Sequence, residues 1–350
     1  MIDNRKIEQN LNVVSQMVHG AGCSLMIVTK SFCAHPQIID LLLAHPGVDY
    51  LADSRIYNIK TYAKKARAAG KQTALLRLPM ISETSDTVAF ADLSVNSELE
   101  TIGVLNKEAG KLGVKHSILL MIDLGDLREG LFFQEEEKIM DTVKQILMME
   151  NIVLFGIGTN LTCYGAVLPQ KENLSILTTL AGKIEKEFSI SLAMISGGNS
   201  SSLYLIPRGE LPACINNLRL GEGFVLGNET AFGERIPGTC QDAVILQAEI
   251  IEVQKKPSVP IGEIGRDAFG EKPYYEDRGV RKRAVLALGK QDIDLPTLFA
   301  MDPDAIILGG GSDHLIVDID GCQKNYQVGD RMNFTMGYGC LLKAFTSKYV

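Results

Sequence analysis

Lys30 closes the apolar run SLMIVTK, and Arg219 lies in NLRLGEG, the last of eight strand-like segments counted from that run. If the segments close a parallel barrel, an amine and a permanent cation stand at the same end of it, across one pocket. An amine held out of water at a barrel mouth is a nucleophile for an aldehyde. A guanidinium donates hydrogen bonds and never accepts one, so it can control the electronics of whatever the amine carries.

Eight apolar runs would have to hold that pair: SLMIVTK (24–30), VDYLADS (48–54), TALLRLP (73–79), DLSVNS (92–97), SILLMIDLG (117–125), IVLFGIGTN (152–160), SLAMISGG (191–198) and NLRLGEG (217–223). Between them run amphipathic stretches such as RIYNIKTYAKKARAAG and EEEKIMDTVKQILMMEN, with apolar residues returning every three or four positions. Gly70 reads as a helix stop. Alternation of this kind predicts a parallel α/β fold, and eight units fit a (β/α)8 TIM-type barrel over residues 1–223. The competing open sheet would favour a glycine-rich first turn, and TKSFCAHP has no glycine. After residue 224 the runs VILQAEIIEVQ, KRAVLALG, AIILGGGSDHLIVDID and RMNFTMGYG alternate in period two. They predict a mostly antiparallel β domain over 224–350.

Composition narrows the partners. The formal net charge of −7 leaves no basic field for nucleic acid, and RGVRKR reads as a solvated edge. No apolar run is long enough to span a bilayer, and the first residues read as a polar-faced helix, not a secretion signal. Seven scattered cysteines without CxxC or Cys/His spacing point to reduced thiols in a cytoplasmic protein and to no metal.

In a barrel the chemistry gathers at the C-terminal strand ends. The polar residues delivered there include Lys30, Asp53, Arg77, Asn96, Asp123 with Arg128, Thr159 with Asn160, Ser196 and Arg219. Alone, Lys30 reads as a strand-end side chain reaching for water and Arg219 as half of a rim salt bridge. Together they ask for pyridoxal 5′-phosphate (PLP). The loop ISGGNSSS (195–202) and the Gly221–Glu222 turn follow strands seven and eight, where barrels bind phosphate. A guanidinium facing the pyridine nitrogen leaves that nitrogen unprotonated, which favours quick reprotonation of a carbanion over transamination.

The chain resembles the alanine racemase family of fold-type III PLP enzymes, and within it the ornithine racemase branch. The resemblance rests on VTKSFC, YLADSRI, MIDLGDLREG, GIGTNLTCYG, SGGNSSS, LRLGEGFVLG, LALGKQD, GGGSDHLIVDID and GYGCLLKAFTS, in order along almost the whole chain. It implies a PLP-binding barrel, and a head-to-tail homodimer in which the partner's β domain completes each site. Lys30 then matches the lysine that binds PLP, and Arg219 the partner of the pyridine nitrogen. Ser196, Gly221 and Glu222 match phosphate contacts, and Tyr338 resembles a late tyrosine that reaches the phosphate. Asn160 stands where these enzymes keep a histidine by the ring. Arg128 matches the arginine near the substrate carboxylate, and Ser312 and Asp313 fall in the segment that meets substrate.

The implied reaction interconverts L- and D-ornithine through an external aldimine and Cα proton transfer, with Lys30 serving one face. Racemisation of alanine, serine or lysine is the alternative, followed by a non-enzymatic PLP carrier. Three departures matter: Met121 replaces a lysine that supports Arg128, Ala34 replaces a tyrosine, and Phe269 stands where a tyrosine serves the second face. Asp313 and His314 are candidates for that second base, with Tyr274, Tyr275 and Cys163 as others, and Asp313 or Glu222 for holding the distal amine. The short leading strand of the family is expected to be missing.

Overall fold

The computed structural model describes residues 1–350. It forms two units: Asn4–Gln241, and Asp242–Val350 together with Met1–Asp3. Eight parallel strands organise the first: β1 (Ser24–Val28), β2 (Tyr50–Asp53), β3 (Gln72–Leu75), β4 (Leu93–Asn96), β5 (His116–Asp123), β6 (Ile152–Gly158), β7 (Met194–Ser196) and β8 (Asn217–Leu220). Each pairs with the next and β8 pairs back onto β1, so the barrel closes without an edge. An inner layer of Met26, Ala52, Ala74, Leu93, Val95, Leu119, Met121 and Met194 fills it.

The helices outside follow the apolar spacing. The first, α1 (Asn4–Gly20), buries Ile7, Leu11, Val14 and Val18 on one stripe. Gly70 does end its helix, with φ of +69° just past Ile56–Ala68. The strands are shorter than the apolar runs that announced them. β1 stops at Val28 because Thr29–Phe32 winds into a 3-10 turn, and β8 stops at Leu220 because Glu222–Val225 is already helical. Lys30 is therefore a turn residue at the barrel mouth, while Asp53, Asn96, Asp123, Ser196 and Arg219 stay within their strands.

The second unit is a six-stranded antiparallel sheet. Its strands are β9 (Leu246–Pro257), β10 (Val280–Leu286), β11 (Leu298–Ala300), β12 (Ile306–Gly310), β13 (Leu315–Asp318) and β14 (Arg331–Met336). Their spatial order is β11–β14–β9–β10–β13–β12. The three residues of β11 carry too little pattern to be read from sequence, and the run RMNFTMGYG breaks at Gly337, which caps the helix Tyr338–Thr346. The leading segment is present in short form. Ile2 bridges Val244, and Asp3 donates its N–H to the Ala243 carbonyl at 2.9 Å, so Met1–Asp3 adds to this unit.

Candidate active site at the barrel mouth

β1 ends in a turn whose backbone is unusual. Cys33 and Ala34 both take left-handed conformations (φ 49° and 50°), and their N–H groups close onto the carbonyls of Lys30 and Thr29. Two consecutive non-glycine residues of this kind are held by their surroundings, a form of strain that gathers at functional sites. Lys30 sits on that turn, half-buried, and its amine has no hydrogen bond or ion pair.

Arg219 lies on β8, the neighbour of β1, in register with Met26 and thus deeper in the barrel than Lys30. It is 4% exposed. Its guanidinium donates to Ser196 Oγ and, at 2.5 Å, to the Thr159 carbonyl, and no carboxylate pairs with it. Burial pulls its pKa down to about 10, against the charge of Glu129, which acts to raise it. A buried cation left with donor capacity calls for an acceptor above it.

Ser196, expected as a phosphate contact, ends β7 beside Arg219. Its hydroxyl donates to Asn217 Oδ1 at 2.6 Å while accepting from Arg219. It therefore props the arginine. The loop beyond it makes the cradle: Asn199 Oδ1 caps the 3-10 turn Ser200–Ser202 through the Ser201 N–H at 2.8 Å, and Ser200 Oγ accepts from the Gly223 N–H at 3.1 Å. Gly221 and Glu222 enter the adjoining short helix. Ser201 Oγ is fully buried with no partner, as is Thr159 Oγ1. Unsatisfied buried hydroxyls are costly, and one left over in a loop of small residues fits a phosphate as its missing partner. Glu222 is raised to about 7 by burial and by the nearby charge of Glu229.

Arg128 reaches the mouth from the loop after β5. Asp123 Oδ1 accepts the N–H groups of Gly125 (2.8 Å) and Leu127 (3.1 Å), and Gly130 takes φ +123°, where a Cβ would come within 2.6 Å of the Asp123 nitrogen. Burial works against the charge of Arg128, but the hydrogen bonds and charge of Glu129 outweigh it and its pKa is raised. Asn160, turned with its amide oxygen toward Arg128, lies 3.3 Å from Nη1. Glu129 is the functional residue that sequence reasoning passed over. Its only signal was adjacency to Arg128, which does not reveal a shared ion pair. Met121 is buried in the barrel core beneath this loop.

Cys163 follows Asn160 and is exposed, with Asn199 Nδ2 donating to its sulfur at 3.3 Å. The other anticipated residues belong to the second unit. Ser312, Asp313 and His314 form the turn between β12 and β13, which Gly289 fits closely: a Cβ there would lie 2.2 Å from the Ser312 carbonyl oxygen. Asp313 Oδ1 and His314 Nδ1 lie 2.8 Å apart on exposed side chains. Tyr338 opens the last helix. Phe269 is half-exposed, with the Lys290 ammonium 3.9 Å from its ring centre. Tyr274 is exposed.

Residues 2–228 match the family described as "Alanine racemase, N-terminal domain". The chain is similar to an ornithine racemase of Acetoanaerobium sticklandii, 50% identical over 349 residues and covering 100% of this chain and 97% of the relative. It is also similar to a lysine racemase of Thermotoga maritima, 38% identical over 350 residues and covering 100% and 96%. Among solved structures, an alanine racemase from Bartonella henselae with covalently bound pyridoxal phosphate superposes with a TM-score of 0.66 at 17% identity, covering 99% of this chain and 92% of that one. At that identity the likeness speaks for the fold.

Proposed function

The chain belongs to the alanine racemase family and is an amino-acid racemase, and from that premise we propose that ornithine is its substrate and PLP its cofactor. The observation that carries the substrate is the 50% identity to an ornithine racemase along the whole chain. The cofactor reading is supported by the partnerless Lys30 amine, the buried Arg219 cation without a carboxylate, and the unsatisfied hydroxyl of Ser201.

When bound, PLP supplies the electron sink that stabilises negative charge at the substrate Cα. Lys30 would hold the cofactor through its amine and would move the Cα proton at its Nζ on one face of the substrate. Arg219 would stand at the pyridine nitrogen and, unable to accept a proton, would keep the sink weak and favour return of the proton to Cα. Ser200, Ser201 and the backbone at Gly221 and Glu222 would hold the phosphate, with Tyr338 as the further contact that the family resemblance implies. Arg128, backed by Glu129 and Asn160, receives the substrate carboxylate.

The second face is served by the β domain of a partner subunit in a head-to-tail homodimer, with Ser312, Asp313 and His314 meeting the substrate. Exposed apolar side chains on that unit, Ile261, Tyr274 and Val280 among them, support such an interface. No helix is long and apolar enough to cross a membrane. All seven cysteines are free, which supports a cytoplasmic setting.

Racemisation rates over an amino-acid panel, read by polarimetry, test the substrate. Ornithine should be fastest. Equal rates on alanine and ornithine would remove the ornithine assignment, and a preference for lysine would favour the second reading, which rests on the Thermotoga maritima relative.

A further inference from the structure

Asp53 ends β2 and is fully buried, yet the chemistry above does not use it. No cation pairs with it. Its Oδ2 accepts the Thr29 hydroxyl at 2.5 Å and Asn58 Nδ2 at 3.2 Å, and its Oδ1 accepts the Arg55 N–H at 2.8 Å. The Tyr62 hydroxyl, itself buried, lies 3.4 Å from Thr29 Oγ1.

Two of these bonds are local. Those to the Arg55 N–H and the Asn58 side chain are made within the turn that leads into the helix Ile56–Ala68, a common task for an aspartate. The bond to Thr29 is different, because it crosses from one strand to the next. The β1–β2 ladder runs from Met26–Tyr50 to Val28–Ala52 and stops there. Thr29 and Asp53 are the next residues on each side, so a side-chain bond continues the pairing where the backbone bonds end. Thr29 is also the first residue of the turn that carries Lys30, and its carbonyl accepts the N–H of the left-handed Ala34.

We infer that Asp53 is a positioning residue for Lys30, acting through Thr29. The buried carboxylate fixes the first residue of the strained turn, and so the point from which the lysine side chain leaves. An unpaired carboxylate this deep is costly, and a valine–alanine pair would serve a purely structural strand end better. This inference rests on the proposed role of Lys30.

The test uses the apoprotein and inorganic borohydride. Lys30 Nζ adds to the aldehyde carbon of PLP, water leaves, and hydride from borohydride then reduces the C=N bond to a stable amine that peptide mass spectrometry locates on Lys30. Asp53→Asn keeps the shape and removes the charge, Thr29→Val removes the hydroxyl, and Thr29→Ser keeps it. Asp53→Asn and Thr29→Val should each slow labelling about tenfold, with kcat falling and the amino-acid KM unchanged, while Thr29→Ser labels at the wild-type rate. The double variant should be no slower than the slower single one. Lower melting temperatures with wild-type labelling in both single variants would reduce the network to a structural role and overturn the inference. If Asp53→Asn does not fold, the Thr29→Val and Thr29→Ser pair decides. Wild-type protein that never labels at Lys30 sinks the cofactor assignment itself, and the inference with it.

Discussion

Arg128 and Glu129, neighbours in the chain, form a two-pronged ion pair: Nη2 lies 2.6 Å from Oε1, and Nε reaches Oε2. The carboxylate is largely buried, with 15% of its side chain exposed, and its charge also bears on Arg219. A single residue thus orients one arginine of the mouth and helps to keep the other charged. The support that Met121 cannot give to Arg128 comes from the loop itself.

Glu129→Gln should therefore loosen Arg128 without unfolding the barrel. Loss of a charge-assisted pair of this geometry is worth about 1.5 kcal/mol, or roughly a tenfold rise in the amino-acid KM with a smaller change in kcat. Steady-state kinetics check this, and an unchanged KM would show that Arg128 is held by other groups.

Ser201→Ala separates cofactor binding from stability. The Ser201 hydroxyl is buried without a partner, so its removal should leave the melting temperature unchanged or raised. PLP affinity, measured by fluorescence quenching of the apoprotein, should fall about tenfold. Ser196→Ala should behave in the opposite sense, costing stability because it strips a partner from buried Arg219.

Lys30→Ala should abolish the visible-edge absorbance of the PLP-loaded protein and the activity together. An unchanged spectrum would refute the assignment of the amine.

Arg219→Glu tests the electronic argument. A carboxylate at that position can hold a proton on the pyridine nitrogen, which strengthens the electron sink. Keto acid formed from the amino acid, a transamination by-product, should rise relative to racemisation. A flat ratio removes the argument that Arg219 selects the reaction.

The pH dependence of stability follows from Glu222, which burial raises to about 7. Its folded pKa lies above its unfolded value, so the folded state binds the proton more tightly between pH 4.5 and pH 7. The neutral form costs nothing below that window, and stability is lost as pH rises through it. Glu222→Gln should melt several degrees above wild type at pH 8 and match it near pH 4.5. Equal melting curves at pH 8 would show that the carboxylate is better solvated than its burial indicates.

The barrel was legible in the chain's pattern, because period, length and turn chemistry are local properties. Eight apolar runs separated by amphipathic helices leave few ways to close, and the strand count alone places Lys30 and Arg219 at one end. The strand boundaries were less legible. A hydrophobic run does not show where ladder bonds give way to a 3-10 turn, so Thr29 and Lys30 were read as strand. Hydrogen-bond partners were not legible at all, since they depend on which side chains meet across neighbouring elements. Ser196 and Ser201 look alike in ISGGNSSS, yet one props Arg219 and the other is left unsatisfied. Glu129 and Asp53 likewise gained their roles only once the chain was folded. Burial turned one carboxylate into the clamp of Arg128 and the other into the anchor of Thr29, and burial is a property of tertiary structure.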